Sequence, residues 1–268
     1  MKILVLGDVM GLSGRKVLKK NLANIIKENE IDFSIINGEN AADDGKGITQ
    51  KIAEEFFSNG IDVITSGNHI WDKQETTKFI EKEKRLLRPA NLVAGSPGNG
   101  YGIYLSKNQK YKVGVINLMG NVFMKKTDDV FKSARELLKK LILKNNVDFL
   151  VVDFHGEITS EKMAIGHFLD GSVTCIVGTH THVPTADTRV LEKGTAYQTD
   201  IGMCGDYNSV IGMNKENSLK RFFKDKDAIK HFPSDGEGTI SGVIIEADQQ
   251  TGLANRISRI IKGGVLEN

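Results

Sequence analysis

Four of the six histidines lie in three short glycine-flanked motifs: Gly67-Asn68-His69, His155-Gly156 and Gly178-Thr179-His180-Thr181-His182. Each motif stands where an apolar run ends. Two earlier apolar runs end on acidic motifs of the same kind, Gly7-Asp8-Val9 and Gly38-Glu39-Asn40. Carboxylate, carboxamide and imidazole groups make a ligand set suited to hard and borderline metals, and five strand ends supply enough of them for two ions side by side. The chemistry expected of this chain is that of a two-metal hydrolase.

Taken singly, each motif also has an ordinary reading. Asp8 reads as well as a turn cap. Glu39 reads as a solvated acid in a loop with Asp43, Asp44, Gly45 and Gly47. A carboxylate at the end of a buried strand nevertheless needs a partner, which a bridging role between two cations would supply. Asn68 reads as a helix cap, which leaves His69 without a role, and His155 reads as a core histidine. His180 and His182 stand at i and i+2, which in an extended segment face the same way, so both imidazoles are expected to reach one site. The ordinary readings would have to hold at all five strand ends at once.

The elements that must position these residues alternate strand and helix. Lys2 to Leu6, Phe33 to Asn37 and Val63 to Thr65 are short apolar runs that read as buried strands. Ser13 to Asn29 places Val17, Leu18, Leu22, Ile25 and Ile26 on one helical face, and Thr49 to Asn59 does the same with Ile52, Phe56 and Phe57 before Gly60. Asp72 to Lys84 is expected to be a strongly charged helix. Asn91 to Ala94, Gly102 to Leu105 and Val113 to Leu118 read as strands without a helix between them, an antiparallel patch. A helix over Phe131 to Asn145, a strand over Phe149 to Phe154 and a helix over Ile158 to Leu169 follow. Strands are then expected over Thr174 to Val177, Thr195 to Thr199, Gly242 to Glu246 and Arg256 to Ile261. No repeat or Pro/Ser-rich linker divides the 268 residues, so a single α/β domain spanning 1–268 is expected.

Composition excludes several classes. The chain is 40% apolar, enough for a large core, and carries a formal net charge of +2 with the two signs interspersed. That balance argues against dedicated nucleic-acid binding. No apolar run is long enough to span a bilayer, and the N-terminal run is too short for a signal peptide, so no membrane partner and a cytoplasmic location are expected. Cys175 and Cys204 lack zinc-ribbon or CxxC spacing, and Cys175 reads as a small buried hydrophobe. Tyr197, Tyr207 and Phe232 read as packing aromatics or as surfaces on which a base could stack.

The order Asp8, Gly38-Glu39-Asn40, Gly67-Asn68-His69, His155-Gly156 and Gly178-Thr179-His180-Thr181-His182 resembles the signature of the calcineurin-like metallophosphoesterases. It is most similar to their YmdB-type bacterial branch of 2′,3′-cyclic-nucleotide 2′-phosphodiesterases. The resemblance runs through nearly the whole chain, including Met1 to Gly11, Asn37 to Ala42, Ser66 to Asp72 and Thr199 to Gly205. It implies a four-layer α/β/β/α sandwich with two mixed sheets. Two departures from the wider superfamily stand out. Met10 replaces the histidine of the usual Asp-x-His, and a thioether is a poor ligand for hard Fe or Mn. Glu39 replaces the usual aspartate, and Asn40 then takes the place of the missing imidazole. The YmdB-type branch is similar in both respects.

The ligand set implied is one metal on Asp8, Glu39, Asn40 and His182, and a second on Glu39, Asn68, His155 and His180. Such ions, about 3.5–4 Å apart, share a hydroxide and clamp phosphate oxygens for in-line attack. His69 is expected to be the catalytic acid that protonates the leaving oxygen. Iron is favoured by the resemblance, with manganese or zinc as alternatives. The substrate implied is a small nucleotide phosphodiester, a 2′,3′-cyclic nucleotide opened to a 3′-nucleotide, with 3′,5′-cyclic nucleotides as a further class. A homo-oligomer, dimer or tetramer, is also implied. A phosphomonoesterase or nucleotidase on the same site is the alternative, and a non-catalytic metal-binding regulator is disfavoured by the intact motifs.

Overall fold

The computed structural model describes residues 1–266. The N-terminal half runs β1 (Lys2–Val9), α1 (Gly11–Glu28), β2 (Phe33–Asn37), α2 (Gln50–Ser58), β3 (Val63–Thr65), α3 (Thr76–Phe79), β4 (Tyr101–Leu105) and β5 (Lys112–Met119). It continues with α4 (Val130–Lys140), β6 (Phe149–His155), α5 (Thr159–Leu169), β7 (Cys175–Thr179), β8 (Arg189–Val190), β9 (Ala196–Gln198) and β10 (Met203–Cys204). The chain closes on α6 (Lys215–Phe222), β11 (Ile240–Ala247) and β12 (Ala254–Lys262).

Two mixed sheets result. The first has the order β12-β11-β1-β2-β3, with β10 joining the end of β1 in parallel. The second has the order β4-β5-β6-β7-β9-β8. Within the first, β1, β2 and β3 are parallel and β11 and β12 antiparallel; within the second, β5, β6, β7 and β9 are parallel, with antiparallel β4 and β8 at the edges.

Side-chain alternation along the strands explains the layering. On β1, Ile3 and Val5 join Phe33, Ile35, Val63, Val115, Phe149, Val151 and Val177 in a core between the sheets. Leu4 and Leu6 face the other way, onto Val17, Leu18, Leu22 and Ile25 of α1 and Ile52 and Phe56 of α2. On β6, Leu150, Val152 and Phe154 pack against Ala134 and Leu137 of α4 and Ile165 and Leu169 of α5. Three apolar clusters separate four layers, helix, sheet, sheet, helix, which is the sandwich the resemblance implied.

Local chemistry sets the helix ends. Thr49 caps α2 by accepting from Ile52 N at 3.3 Å, Asp129 caps α4 by accepting from Lys132 N at 2.8 Å, and Asn214 caps α6 by accepting from Asn217 N at 2.9 Å. Gly60 follows α2 at φ +98°, a left-handed position that costs glycine no Cβ clash.

Some expectations are corrected. The charged segment Asp72 to Lys84 forms only the four-residue α3, because Thr76 is buried and donates its hydroxyl to Ile48 O at 2.7 Å, tying the segment to a loop. Asn91 to Ala94 is a turn, not a strand, and Asn91 spends its side chain on both backbone groups of Met119. α4 stops at Lys140, where Leu141 turns extended. The short β8 and β10 and the helix α6 went unread. Cys175 and Cys204 are buried free thiols, and no helix among the described residues is long and apolar enough to cross a membrane.

At the carboxyl ends of the parallel strands the inter-sheet layer changes from apolar to polar. Asn37, Thr65, Asn117, Asp153 and Thr179 are all buried there. Asp153 accepts from Asn37 Nδ2 at 2.9 Å and from the Thr65 hydroxyl, both on the first sheet, and from Thr179 Oγ1 at 2.7 Å on its own sheet. Asn117 joins the sheets a second time, exchanging two 2.9 Å hydrogen bonds with the backbone of Ser66. Replacing Asp153 by alanine strips an acceptor from three buried donors. We expect Asp153→Ala to lose about 3 kcal/mol of stability in urea unfolding at unchanged slope; a variant as stable as the parent would show that the sheets dock without this link.

Candidate metal centre

The five motifs meet at this polar end of the sandwich. Asp8 and the Glu39-Asn40 turn come from the first sheet, off β1 and β2, and Asn68 follows β3. His155 ends β6 of the second sheet, and His180 and His182 follow β7. Asp8, Glu39, Asn40, His155 and His182 are buried, and Asn68 and His180 partly so.

The donor atoms form two groups. In one, His155 Nε2 lies 3.0 Å from Glu39 Oε1, 3.1 Å from Asn68 Oδ1 and 3.0 Å from His180 Nδ1. In the other, His182 Nε2 lies 3.2 Å from Asn40 Oδ1. Asp8 Oδ2 accepts from His180 N at 3.0 Å, while its Oδ1 is a buried oxygen without a hydrogen-bond partner. Gly67 is required by the crowding. A Cβ there would stand 2.2 Å from Glu39 Oε2 and 2.3 Å from His155 Nε2.

Surrounding groups fix which ring nitrogen faces inward, an assignment made from hydrogen-bond partners. Thr179 Oγ1 donates to Asp153, so it accepts from His155 Nδ1 at 3.0 Å and leaves Nε2 turned to the site. His182 Nδ1 donates to Ile211 O at 2.7 Å, and His180 Nε2 to Glu157 Oε2 at 3.0 Å. Asn40 donates its amide to Gly45 O at 2.9 Å, which leaves its oxygen facing His182. With neutral imidazoles, lone pairs are thus aimed at lone pairs about 3 Å apart. Ligands of one cation, each 2.0–2.2 Å from it, stand at roughly this spacing from one another, so the donor set fits a metal.

The electrostatics point the same way. Burial raises the Asp8 carboxyl to about 6, against the pull of His155 and His182. Burial also works to raise Glu39, but His155 and the His69 amide overcome it and hold the carboxyl at about 2. Burial disfavours a charged His155, yet Glu39 and Asp8 bring the ring to about 9. Burial and the neighbouring His155 push His180 down to about 3. The two carboxylates therefore demand one positive charge, and it falls on a ring whose chemistry equally suits a cation.

His180 and His182 do not lie in an extended segment. β7 ends at Thr179, and the two histidines take φ +102° and +66°, a left-handed backbone that costs non-glycine residues of order 1–3 kcal/mol. The two rings therefore diverge, His180 into the His155 group and His182 into the Asn40 group. The turn between them is held by Asp200, which accepts from Thr181 N at 3.1 Å and Thr181 Oγ1 at 2.7 Å. Asp200 is in turn paired with buried Lys162 of α5 at 2.6 Å. His69 lies at the rim. Its N–H donates to Glu39 Oε2 at 3.1 Å, and its Nδ1 is 2.8 Å from Asp72 Oδ2.

Sequence reading missed Asp153, Thr179, Asn117, Lys162, Asp200 and Glu157. The one available signal was Asp153, an acid inside an apolar strand. Met10 is buried and packs against Gly45, Gly205 and Gly212, three loop positions where an added Cβ would stand within 2.9 Å of it. Tyr197 is buried with its hydroxyl bonded to Thr199 and the Arg189 guanidinium over its ring, so it packs in the core and offers no face to a base.

A family model for YmdB-like proteins matches residues 4–260. A Bacillus subtilis (strain 168) protein named 2′,3′-cyclic-nucleotide 2′-phosphodiesterase is 45% identical over 261 residues, covering 97% of each chain. The solved structure of a novel phosphatase from Mycoplasma pneumoniae superposes with a TM-score of 0.90 at 37% identity, over 98% of this chain and 93% of that one. A hypothetical protein from Thermus thermophilus gives 0.89 at 34% identity, over 98% and 100%. By the family match and the extent of these similarities, this chain belongs to the YmdB-like protein family.

Proposed function

We propose that this chain is a two-metal phosphodiesterase that opens 2′,3′-cyclic nucleotides to 3′-nucleotides. The observation that carries the reading is the inward set of the lone pairs. Three imidazoles and one carboxamide each donate outward and present an acceptor inward. The name of the B. subtilis relative supports the substrate class, and the naming of the M. pneumoniae relative as a phosphatase supports phosphoryl chemistry more broadly.

Asp8, Asn40 and His182 would hold one ion, Asn68, His155 and His180 the other, and Glu39 would bridge them. When bound, a pair of Fe, Mn or Zn ions supplies an acidified water as nucleophile and charge to stabilise the phosphate oxygens. The protein's own groups do the rest. Thr179 and Asp153 keep the His155 ring oriented, and Lys162 with Asp200 sets the His180 to His182 turn. His69, supported by Asp72, is suited to protonate the departing ribose 2′ oxygen. Asp72 fixes the orientation of the ring through Nδ1.

Three tests follow. After reconstitution with Fe or Mn, elemental analysis is expected to find two ions per chain; one ion or none would end the two-metal reading. Glu39→Gln is expected to abolish turnover and weaken metal binding, because a neutral amide bridges two cations poorly, and near-normal turnover would remove Glu39 from the bridge. His69→Ala is expected to keep the metals but lower kcat on 2′,3′-cAMP by roughly 10²–10⁴. Its loss on a p-nitrophenyl ester, whose leaving group needs no proton, should be much smaller. Equal losses on both would make His69 something other than the acid, and 3′,5′-cAMP run beside them measures the breadth of the site.

A further inference from the structure

The segment after β5 joins the site at both ends. At its root, Gly120 N donates to His155 O at 2.9 Å, and the backbone amides of Asn121 and Val122 donate to the Glu161 carboxylate of α5 at 2.8 and 3.3 Å. The Asn121 side chain closes the loop on itself, donating to Thr127 Oγ1 at 2.8 Å and Asp128 O at 3.1 Å and accepting from Val130 N at 3.0 Å. Nearer its tip, Lys125 donates to the backbone carbonyl of Asn68 and stands 3.8 Å from Asp72 Oδ1. Asp72 is the carboxylate that also holds His69. The loop therefore spans from His155 to the His69 side of the centre.

Between these anchors Phe123 is 85% exposed and sits at φ +59°. A phenylalanine in the left-handed region is strained, and a phenyl ring left in water forgoes its burial energy. Both costs fall on one residue of a loop whose two ends are fixed to the site. The neighbouring Val122 is also exposed. If His69 protonates the departing 2′ oxygen, the ribose and its base lie on the His69 side, and Lys125 ties the loop there.

We propose that Phe123 is a specificity residue, a platform on which the base of the nucleotide stacks, with Lys125 the strut that fixes its loop over the leaving-group side. The inference rests on the phosphodiesterase reading above. An aromatic face accepts any base, so the platform favours nucleotides over baseless diesters while discriminating little among bases.

The test compares the metal-loaded parent, Phe123→Ala and Phe123→Trp on 2′,3′-cAMP and on glycerol 1,2-cyclic phosphate, a cyclic diester without a base. Phe123→Ala is expected to lower the ratio of kcat/KM for the nucleotide over the glycerol ester roughly 5- to 100-fold, carried by KM, and Phe123→Trp to restore it. An unchanged ratio overturns the proposal, as does an equal loss on both substrates, which would make Phe123 a structural part of the loop. A parent protein inactive on both diesters but active on a phosphomonoester would overturn the phosphodiesterase reading, and this inference with it, before any variant is compared.

Discussion

The buried carboxylate of Asp153 is the constraint on which the rest of the arrangement depends. A carboxylate taken out of water between two sheets is costly unless its oxygens are satisfied. Here it is satisfied only when both sheets are in place, because Asn37 and Thr65 come from one and Thr179 from the other. Burial raises its pKa, and the hydrogen bond from Thr65 opposes that rise. The same Thr179 hydroxyl that donates to it receives His155 Nδ1–H. Sheet docking and ring orientation are thus one hydrogen-bonded chain, and a shift of either sheet would misdirect a candidate ligand.

A similar economy governs the histidine turn. Strained dihedrals at His180 and His182 would relax if nothing held them. Asp200 holds the intervening Thr181 through both its amide and its hydroxyl, and also accepts from Gly202 N at 2.8 Å. The Lys162 ammonium gives that carboxylate a buried partner, so the turn is braced by a helix from the outer layer. Removing one member of such a pair leaves the other charged and alone, which is why the pair acts as a brace rather than a source of net stability.

What the sequence disclosed follows from this division. Asp8, Glu39, Asn68, His155 and the His180/His182 pair were legible because each interrupts an apolar run at a strand end, a local pattern. Asp153, Asn117, Asp200 and Lys162 were not, because each is meaningful only through a partner on a distant strand or helix. The order of strands and helices was legible from apolar runs and helical periodicity, whereas the four layers came from the family resemblance, and the structure shows Ile3 and Leu4 facing opposite cores. The helix expected at Asp72 failed because charge without an apolar face leaves the backbone to tertiary ties, here Thr76 to Ile48. The extended reading of the His-x-His segment failed because two-residue periodicity holds only inside a strand, and the strand had already ended.

The pairing of β1 with β11 carries a consequence for how the chain acquires its shape. Lys2 to Leu6 align against Gly242 to Glu246, and the amino terminus itself donates to Ala247 O at 3.2 Å. β1 is therefore synthesised well over two hundred residues before the neighbour that covers this edge. Until β11 arrives, β1 has β2 on one side and, over Lys2 to Leu6, an open, apolar hydrogen-bonding edge on the other, the kind of edge that invites pairing with a foreign strand. Closing a contact across nearly the full chain is also entropically slow. The strand that carries Asp8 thus lacks its edge partner until nearly all of β11 has been made, an interval in which that edge is open to misassembly.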